Sequence, residues 1–169
     1  MIFGIDLPAR ADRLALIDAA SGEEWTYRRL REEVERKSRA LAAPPALIFQ
    51  FCENTSEAVA WYLAALEAGH AIALLAGKLD EELRTRIVSR FRPEFILAGF
   101  DPGPEYEAVR TGLWRLVEPC AQAPIRAGLA LLLSTSGTTG TPKFVRLSRS
   151  AVEANAASIA AAVLPFGNR

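Results

Sequence analysis

ALIFQFCENTSEAVAWYLAALEAGHAIALL, residues 46–75, contains two short apolar runs separated by a segment of helix length. The first run, residues 46–51, follows two prolines and is too short for a helix, so it predicts a buried strand. The second run, residues 71–75, is similarly short and apolar. These residues therefore predict two strands of one sheet with a helix between them.

The segment between the two runs carries signals for both ends of a helix. Asn54 is predicted to accept hydrogen bonds from the free amides of the first turn, and Glu57 stands where it can reach back to complete a capping box. Gly69 suits the left-handed conformation that ends many helices. We therefore predict a helix over residues 55–68.

Two further helices are predicted on either side. Residues 25–43 place Leu30, Val34 and Leu41 on one side of a helix, which is ended by the two prolines that follow. After the second strand, Asp80 opens a charged helix. The apolar stripe of that helix precedes Pro93 and consists of Leu83, Ile87 and Phe91.

Further apolar runs predict strands at residues 95–100, 113–117, 129–133 and 144–147. The Gly- and Pro-rich stretch from Gly99 to Gly112 is interpreted as turns and loop. The Ala-rich end is predicted to be a helix whose inward residues are Val152, Ile159 and Val163. Strands that alternate with helices indicate an α/β fold with a mostly parallel sheet and helices on both faces.

Length and composition narrow the classes of function. A chain of 169 residues fits a single domain, here residues 1–169. Twenty basic residues balance twenty acidic ones, so the charge excess needed for nucleic-acid binding is missing. The first residues lack the features of a secretory signal, and no membrane span is apparent, so we expect a cytoplasmic protein.

The two cysteines and the single histidine do not predict a reactive centre. Cys52 and Cys120 are too few for a disulfide scaffold or a thiolate zinc site, and we expect unpaired structural thiols. His70 has no neighbouring ligand or nucleophile in the sequence, so we assign it no role in catalysis.

The segment STSGTTGTPK, residues 134–143, follows the predicted strand at 129–133 and carries the strongest functional signal. It holds five Ser or Thr hydroxyls before Gly140, two glycines and one lysine. Glycines allow backbone amides to approach an anion, hydroxyls add neutral donors, and Lys supplies a charge, which together can cradle a polyphosphate. Composition alone is equally consistent with an ordinary surface loop.

The spacing within this segment disfavours two common phosphate loops. In the Walker pattern a glycine directly precedes the lysine, whereas here Thr141 and Pro142 separate Gly140 from Lys143. The dinucleotide pattern requires three glycines that open a helix, and this loop instead appears between two predicted strands.

STSGTTGTPK resembles the phosphate-binding signature of the adenylate-forming (AMP-binding) enzymes, which include acyl-CoA synthetases, adenylation domains of nonribosomal peptide synthetases, and luciferases. WTYRRL (25–30) and LAALEAGHAIALL (63–75) resemble two weaker family motifs, in the expected order. The resemblance covers nearly the whole chain and implies the amino-terminal subdomain of the adenylate-forming ligase fold.

By this resemblance the chain is the amino-terminal part of an ATP-dependent ligase. Such an enzyme activates a carboxylic acid as an acyl adenylate, releases pyrophosphate and usually passes the acyl group to coenzyme A or a carrier-protein thiol. No catalytic residue is assigned to this chain. The residues that would hold the β- and γ-phosphates of ATP are Thr135, Ser136, Gly137, Thr138, Thr139, Gly140 and Lys143.

Two departures from the family pattern affect the expectation. Phe144 stands where members usually have Gly after the signature Lys. The resemblance also places the magnesium-binding Glu, the ribose-binding Asp and the carboxy-terminal domain with its catalytic Lys outside these residues, so Mg²⁺ has no expected ligand here. We expect the chain to be inactive alone. A non-catalytic nucleotide- or partner-binding module, such as half of a split enzyme that binds a complementary chain, is the alternative.

Overall fold

The computed structural model of the protein describes residues 10–118, 125–135 and 143–163. Within these ranges the chain forms strands and helices in an alternating order. In chain order the elements are β1 (Leu14–Ile17), β2 (Glu24–Thr26), α1 (Tyr27–Ala40), β3 (Leu47–Cys52), α2 (Ser56–Glu67), β4 (Ala71–Ala76), α3 (Glu81–Phe91), β5 (Phe95–Leu97), β6 (Tyr106–Arg110), β7 (Leu113–Leu116), β8 (Leu129–Thr135), β9 (Lys143–Ser148) and α4 (Arg149–Val163).

The strands form a main sheet in the order β6-β7-β5-β3-β4-β8-β9 and a small antiparallel pair of β1 and β2. The four central strands, β5, β3, β4 and β8, run parallel to one another. Antiparallel strands flank them, with the β6 and β7 hairpin at one edge and β9 at the other. The predicted mostly parallel α/β sheet is therefore confirmed.

Helices cover both faces of this sheet because alternate strand residues point to opposite sides. Ile48 and Ile72 pack with residues of α1 and α2 on one face. Phe49 and Ala73, one position further along each strand, pack with Ile87 of α3 on the other face. The loop after β3 thus leads to one side of the sheet, and the loop after β4 leads to the other.

The predicted helices agree with the structure, with one correction at a cap. Leu30 and Val34 of α1 are buried, as is Leu41 just after its end, and Asp80 caps α3. The cap of α2 is Thr55, whose hydroxyl accepts from the Ala58 amide, so the prediction of Asn54 was wrong by one residue. The threonine lies in extended backbone, which an N-cap residue requires.

The turn at the end of α2 explains why His70 is buried. Gly69 adopts a positive φ of 82°, and the Gly69 and His70 amides donate to the carbonyls of Leu66 and Ala65. This motif turns the chain so that His70 is buried at the start of β4. Its Nε2 lies 2.8 Å from Leu41 O, and its Nδ1 accepts from the Ala46 amide at 3.1 Å. His70 therefore joins the end of α1 to the starts of β3 and β4.

A buried lysine joins α1 to α2. The Lys37 side chain is 0% exposed, and its Nζ lies 2.8 Å from both Glu33 Oε2 and Glu57 Oε1. The same ammonium lies 5.0 Å from the centre of the Trp61 ring. A hydrogen bond from Arg36, together with the Lys37 contact, outweighs the opposing effect of burial and lowers the pKa of Glu33 to about 2, so this carboxylate stays charged.

One expectation for secondary structure and one for burial were wrong. The stretch from Gly99 to Gly112 contains β6, because Gly112, with a φ of 75°, supports a tight turn that pairs β6 with β7. In α4, Val152 is half-buried, but Ile159 and Val163 are 55% and 60% exposed. Only the start of α4 packs on the sheet, and no described residue covers its far end.

Within the described residues, no helix combines the length and apolar character needed to cross a bilayer.

Candidate functional site

The ends of the Ser-, Thr- and Gly-rich segment lie side by side. Thr135 is the last residue of β8, Lys143 is the first of β9, and the two are partners in the antiparallel ladder. Cross-strand partners have Cα atoms about 4.5–5.5 Å apart, so the chain leaves the sheet and returns at one point. The other predicted phosphate-binding residues, Ser136, Gly137, Thr138, Thr139 and Gly140, lie outside the described residues.

The position of this loop in the sheet favours ligand binding. β8 runs parallel to β4, so the loop departs from the same edge of the sheet at which β3, β4 and β5 end. In open α/β sheets, ligands bind at this carboxyl edge, where neighbouring strands lead to opposite faces. The change of face between β3 and β4 occurs one strand away from β8.

Phe144 fixes the returning end of the loop to the core. Its ring centre lies 5.3 Å from that of Phe91 on α3 and 6.2 Å from that of Phe49 on β3. The residue that departs from the family pattern therefore has a packing role. It leaves Lys143 at the exposed end of a strand that is anchored at its second residue.

Asp18 supports the start of α2, and sequence reasoning missed it. Its Oδ2 accepts from the Ser56 amide at 3.0 Å, and its Oδ1 accepts from the amides of Ala20 and Ser21. The Ser56 hydrogen bond, followed by that of Ser21, holds the pKa of Asp18 below its usual value. A carboxylate is favourable here because the amino-terminal end of a helix carries partial positive charge.

A cleft of about 570 Å³ opens at the carboxyl end of β3, between α2 and the turn of the β6 and β7 hairpin. We call it the β3 cleft. Gln50, Glu53, Glu57 and Gly77 are among the residues that line it. A Cβ on Gly77 would lie 2.8 Å from Cys52 O, so only glycine allows the backbone after β4 to lie this close to β3.

The sequence contained one weak signal for this cleft. A glutamine within the apolar run at 46–51 is unusual for a buried strand, because its amide needs hydrogen-bond partners. Gln50 Nε2 donates to Ala58 O at 2.8 Å. The spacing alone could not show that the end of β3 would be open to solvent.

The remaining candidate residues have structural surroundings. Burial raises the pKa of the Cys52 thiol, which disfavours the reactive thiolate, whereas Cys120 lies outside the described residues. In the described part of the chain, no three His, Cys, Asp or Glu side chains lie together as they would around a metal ion.

The sheet and its helices define the chain as an open α/β domain, a class in which ligands bind at the carboxyl edge of the strands. The sequence model of the AMP-binding enzyme family matches residues 7–167. The chain therefore belongs to the AMP-binding, or adenylate-forming, enzyme family.

Solved structures share the fold. ATP-bound MatB from Rhodopseudomonas palustris has a TM-score of 0.66 at 22% identity, with 92% of this chain covered. MenE from E. coli with bound OSB-AMS has a TM-score of 0.65 at 21% identity, with 90% covered. The Klebsiella oxytoca NpsA N-terminal subdomain in complex with 3-hydroxybenzoyl-AMSN has a TM-score of 0.61 at 21% identity, with 83% covered. The fold is thus that of the amino-terminal subdomain of adenylate-forming ligases.

The chain spans 35% of the length of the MatB and MenE chains and 38% of the NpsA chain. No curated protein matches it.

Proposed function

We propose that the chain is the ATP-binding, amino-terminal part of a ligase that activates a carboxylic acid as an acyl adenylate. In this reaction a carboxylate oxygen attacks the α-phosphate of ATP, and pyrophosphate leaves. Both reactants are anions, so the protein must stabilise the negative charge that develops on the leaving group and hold the reactants in line.

In this proposal the loop and the strand residues at its two ends bind the pyrophosphate that leaves. Amides of Gly137 and Gly140, hydroxyls of Thr135, Ser136, Thr138 and Thr139, and the Lys143 ammonium bind the β- and γ-phosphates. None of these groups is the nucleophile or transfers a proton. The observation that supports this assignment best is the pairing of Thr135 with Lys143, because it brings a hydroxyl-bearing residue and a cation together at the carboxyl edge.

The donor set fits a polyphosphate. Small hydroxyl residues and glycines provide several neutral donors, and a lysine provides charge, as phosphate-binding loops require. Magnesium that accompanies ATP would neutralise part of the phosphate charge, and the resemblance places its carboxylate ligand outside these residues. We further propose that the full enzyme is cytoplasmic and passes the acyl group to the thiol of coenzyme A or a carrier protein.

Titration calorimetry with ATP, pyrophosphate and AMP tests this assignment. We expect ATP and pyrophosphate to bind with similar affinity and AMP to bind much more weakly, since the loop contacts only the outer phosphates. Lys143→Ala is expected to weaken ATP and pyrophosphate binding by about tenfold or more, because a charge-assisted hydrogen bond contributes roughly 1.5–3 kcal/mol.

Arg146→Ala is the matched control. Arg146 is an exposed cation on the same strand, about 10 Å from Lys143 along β9, and its side chain alternates to the other face. It should leave pyrophosphate binding unchanged. If both variants lost the same amount of pyrophosphate affinity, the effect of Lys143→Ala would be due to net charge alone. Equal affinities for AMP and ATP would contradict the assignment of this loop to phosphate binding.

The alternative is a non-catalytic module that binds nucleotide or a complementary chain. The exposed Ile159 and Val163 of α4 favour it, because an uncovered apolar surface is typical of a partner-binding site. Carboxylate-dependent exchange of pyrophosphate into ATP separates the two functions. We expect no exchange by these 169 residues alone, since the family's catalytic Lys and magnesium-binding Glu have no counterpart among them. Robust exchange with any acid would show that the chain is itself a complete catalyst.

A further inference from the structure

The β3 cleft has the size and position of a small-molecule site. Its volume of about 570 Å³ lies within the range of roughly 300–1,000 Å³ that ligand pockets occupy. It lies at the carboxyl end of the strand where the chain changes face, and Phe51, Leu97 and Phe100 form apolar parts of its lining. Strand β4 separates it from the strand that carries the loop of residues 136–142.

Gln50 gives this cleft an unused hydrogen-bond acceptor. The residue lines the cleft and is 3% exposed. Its Nε2 donates to the Ala58 carbonyl, which orients the amide, and its Oε1 has no hydrogen-bond partner among the described residues. A buried acceptor without a donor is unfavourable, so turning the Gln50 side chain toward the cleft would allow Oε1 to accept from a bound ligand.

The charges around the cleft indicate the sign of the ligand. Two carboxylates, Glu53 and Glu57, line it, and the described lining contains no Lys or Arg. Lys37 is fully buried and pairs with Glu57, so the charge of this carboxylate is largely offset. Glu53 is exposed at the turn after β3. This lining disfavours a phosphate or carboxylate and favours a cation.

We propose that the β3 cleft binds a small organic cation, an amine or amidine on an apolar body, whose N–H groups donate to Gln50 Oε1 while its charge faces Glu53. This site is separate from the phosphate-binding loop and does not depend on the proposed function.

Benzamidine and benzoate form a matched pair of probes. They share size and planarity, but benzamidine is a cation with N–H donors, whereas benzoate is an anion with acceptors only. In a ¹⁵N-resolved NMR titration of the whole chain, we expect benzamidine to shift the Gln50 side-chain amide and the Gly77 and Gly112 backbone amides, with saturation in the millimolar range or below. Benzoate should leave these signals in place. Absence of saturable shifts with benzamidine, or equal binding of benzoate, would overturn the proposal.

Three variants locate the interaction. Gln50→Leu should weaken benzamidine binding by about tenfold, because the acceptor is lost. Glu53→Gln lies on the surface, keeps the fold and should weaken binding by about threefold, the size expected for an exposed charge pair. Glu67→Gln is the control. This exposed glutamate lies at the other end of α2, about 15 Å from Glu57 along the helix. An equal loss in Glu67→Gln and Glu53→Gln would show nonspecific attraction to acidic residues and would contradict the proposal.

Discussion

Thr135 and Lys143 are the last partners of the β8 and β9 ladder, and seven residues, 136–142, lie between them in the sequence. The loop is therefore closed at its base by strand pairing. A loop with fixed ends loses less conformational freedom when it orders around a ligand than one with free ends.

Gly137→Val is expected to abolish most pyrophosphate binding without lowering the stability of the sheet. A β-branched side chain blocks close approach of a phosphate to the backbone and resists the positive φ angles that such loops use. Calorimetry with pyrophosphate and urea unfolding together check this prediction. A normal affinity in this variant would show that the glycine is only a turn residue.

Phe144→Ala is expected to lower the free energy of unfolding by about 2 kcal/mol, roughly half the cost typical of a fully buried Phe, because the ring is half-buried. It should also weaken pyrophosphate binding, since β9 loses its contacts with Phe49 and Phe91. Val145→Ala, at the exposed neighbouring position, should cost less than about 0.5 kcal/mol. Urea unfolding of both variants measures the difference. Equal costs would mean that Phe144 does not anchor the strand.

His70 is expected to make stability depend on pH. Burial lowers the pKa of His70 from the ordinary 6.5. The Leu41 carbonyl and Glu94 raise this pKa, but their effects are smaller than that of burial. The unfolded chain therefore binds a proton at a higher pH than the folded chain. The stability that the neutral His70 contributes is fully present above the pKa of this histidine in the unfolded chain. It is lost as the pH falls through the pKa of His70 in the folded chain.

Urea unfolding between about pH 7 and pH 5 tests this dependence, since His70 is the only histidine of the chain. We expect stability to fall with decreasing pH in the wild type. His70→Gln should be less stable at pH 7 by about 1–3 kcal/mol, because it disturbs the bonds to Leu41 and Ala46, but it should lack this slope. A slope that persists in His70→Gln would assign the dependence to other groups.

Two substitutions of Lys37 compare the contributions of its charge and of its volume to the free energy of unfolding. Lys37→Ala should lower the free energy of unfolding by about 3 kcal/mol, because it leaves a cavity beside Trp61 and removes the shared partner of Glu33 and Glu57. Lys37→Met keeps the packed stem, and the two carboxylates are partly exposed, so its cost should be below about 1.5 kcal/mol. Thermal or urea unfolding compares the variants. Equal costs would show that the ion pairs, not the packing, dominate.

Local signals were sufficient for the central strands and for most helices. The apolar run at 46–51 became β3 with a shift of one residue, and Asp80 caps α3 as predicted. The family resemblance, now confirmed, also came from residues in sequence order. These features depend on residues that are close in sequence, so they can be predicted from one sequence.

Features that depend on distant residues could not be predicted. β6 is a strand because it pairs with β7, and its own segment, rich in Gly and Pro, resembles a loop. The apolar stripe of α4 suggested burial, but burial requires a second surface, which the described residues do not provide for Ile159. The β3 cleft likewise forms from β3, α2 and the β6 and β7 turn, which the topology brings together.

Strand β9 is the outermost strand on its side of the described sheet, and its outer backbone groups face no other described strand. Such an edge can recruit another chain and begin aggregation. Lys143 and Arg146 are both exposed on this strand, so two copies that met edge to edge would bring like charges together. We therefore expect these two cations to oppose edge-to-edge pairing of two copies. Neutralising both at once should favour self-association, visible as a rise in light scattering with protein concentration.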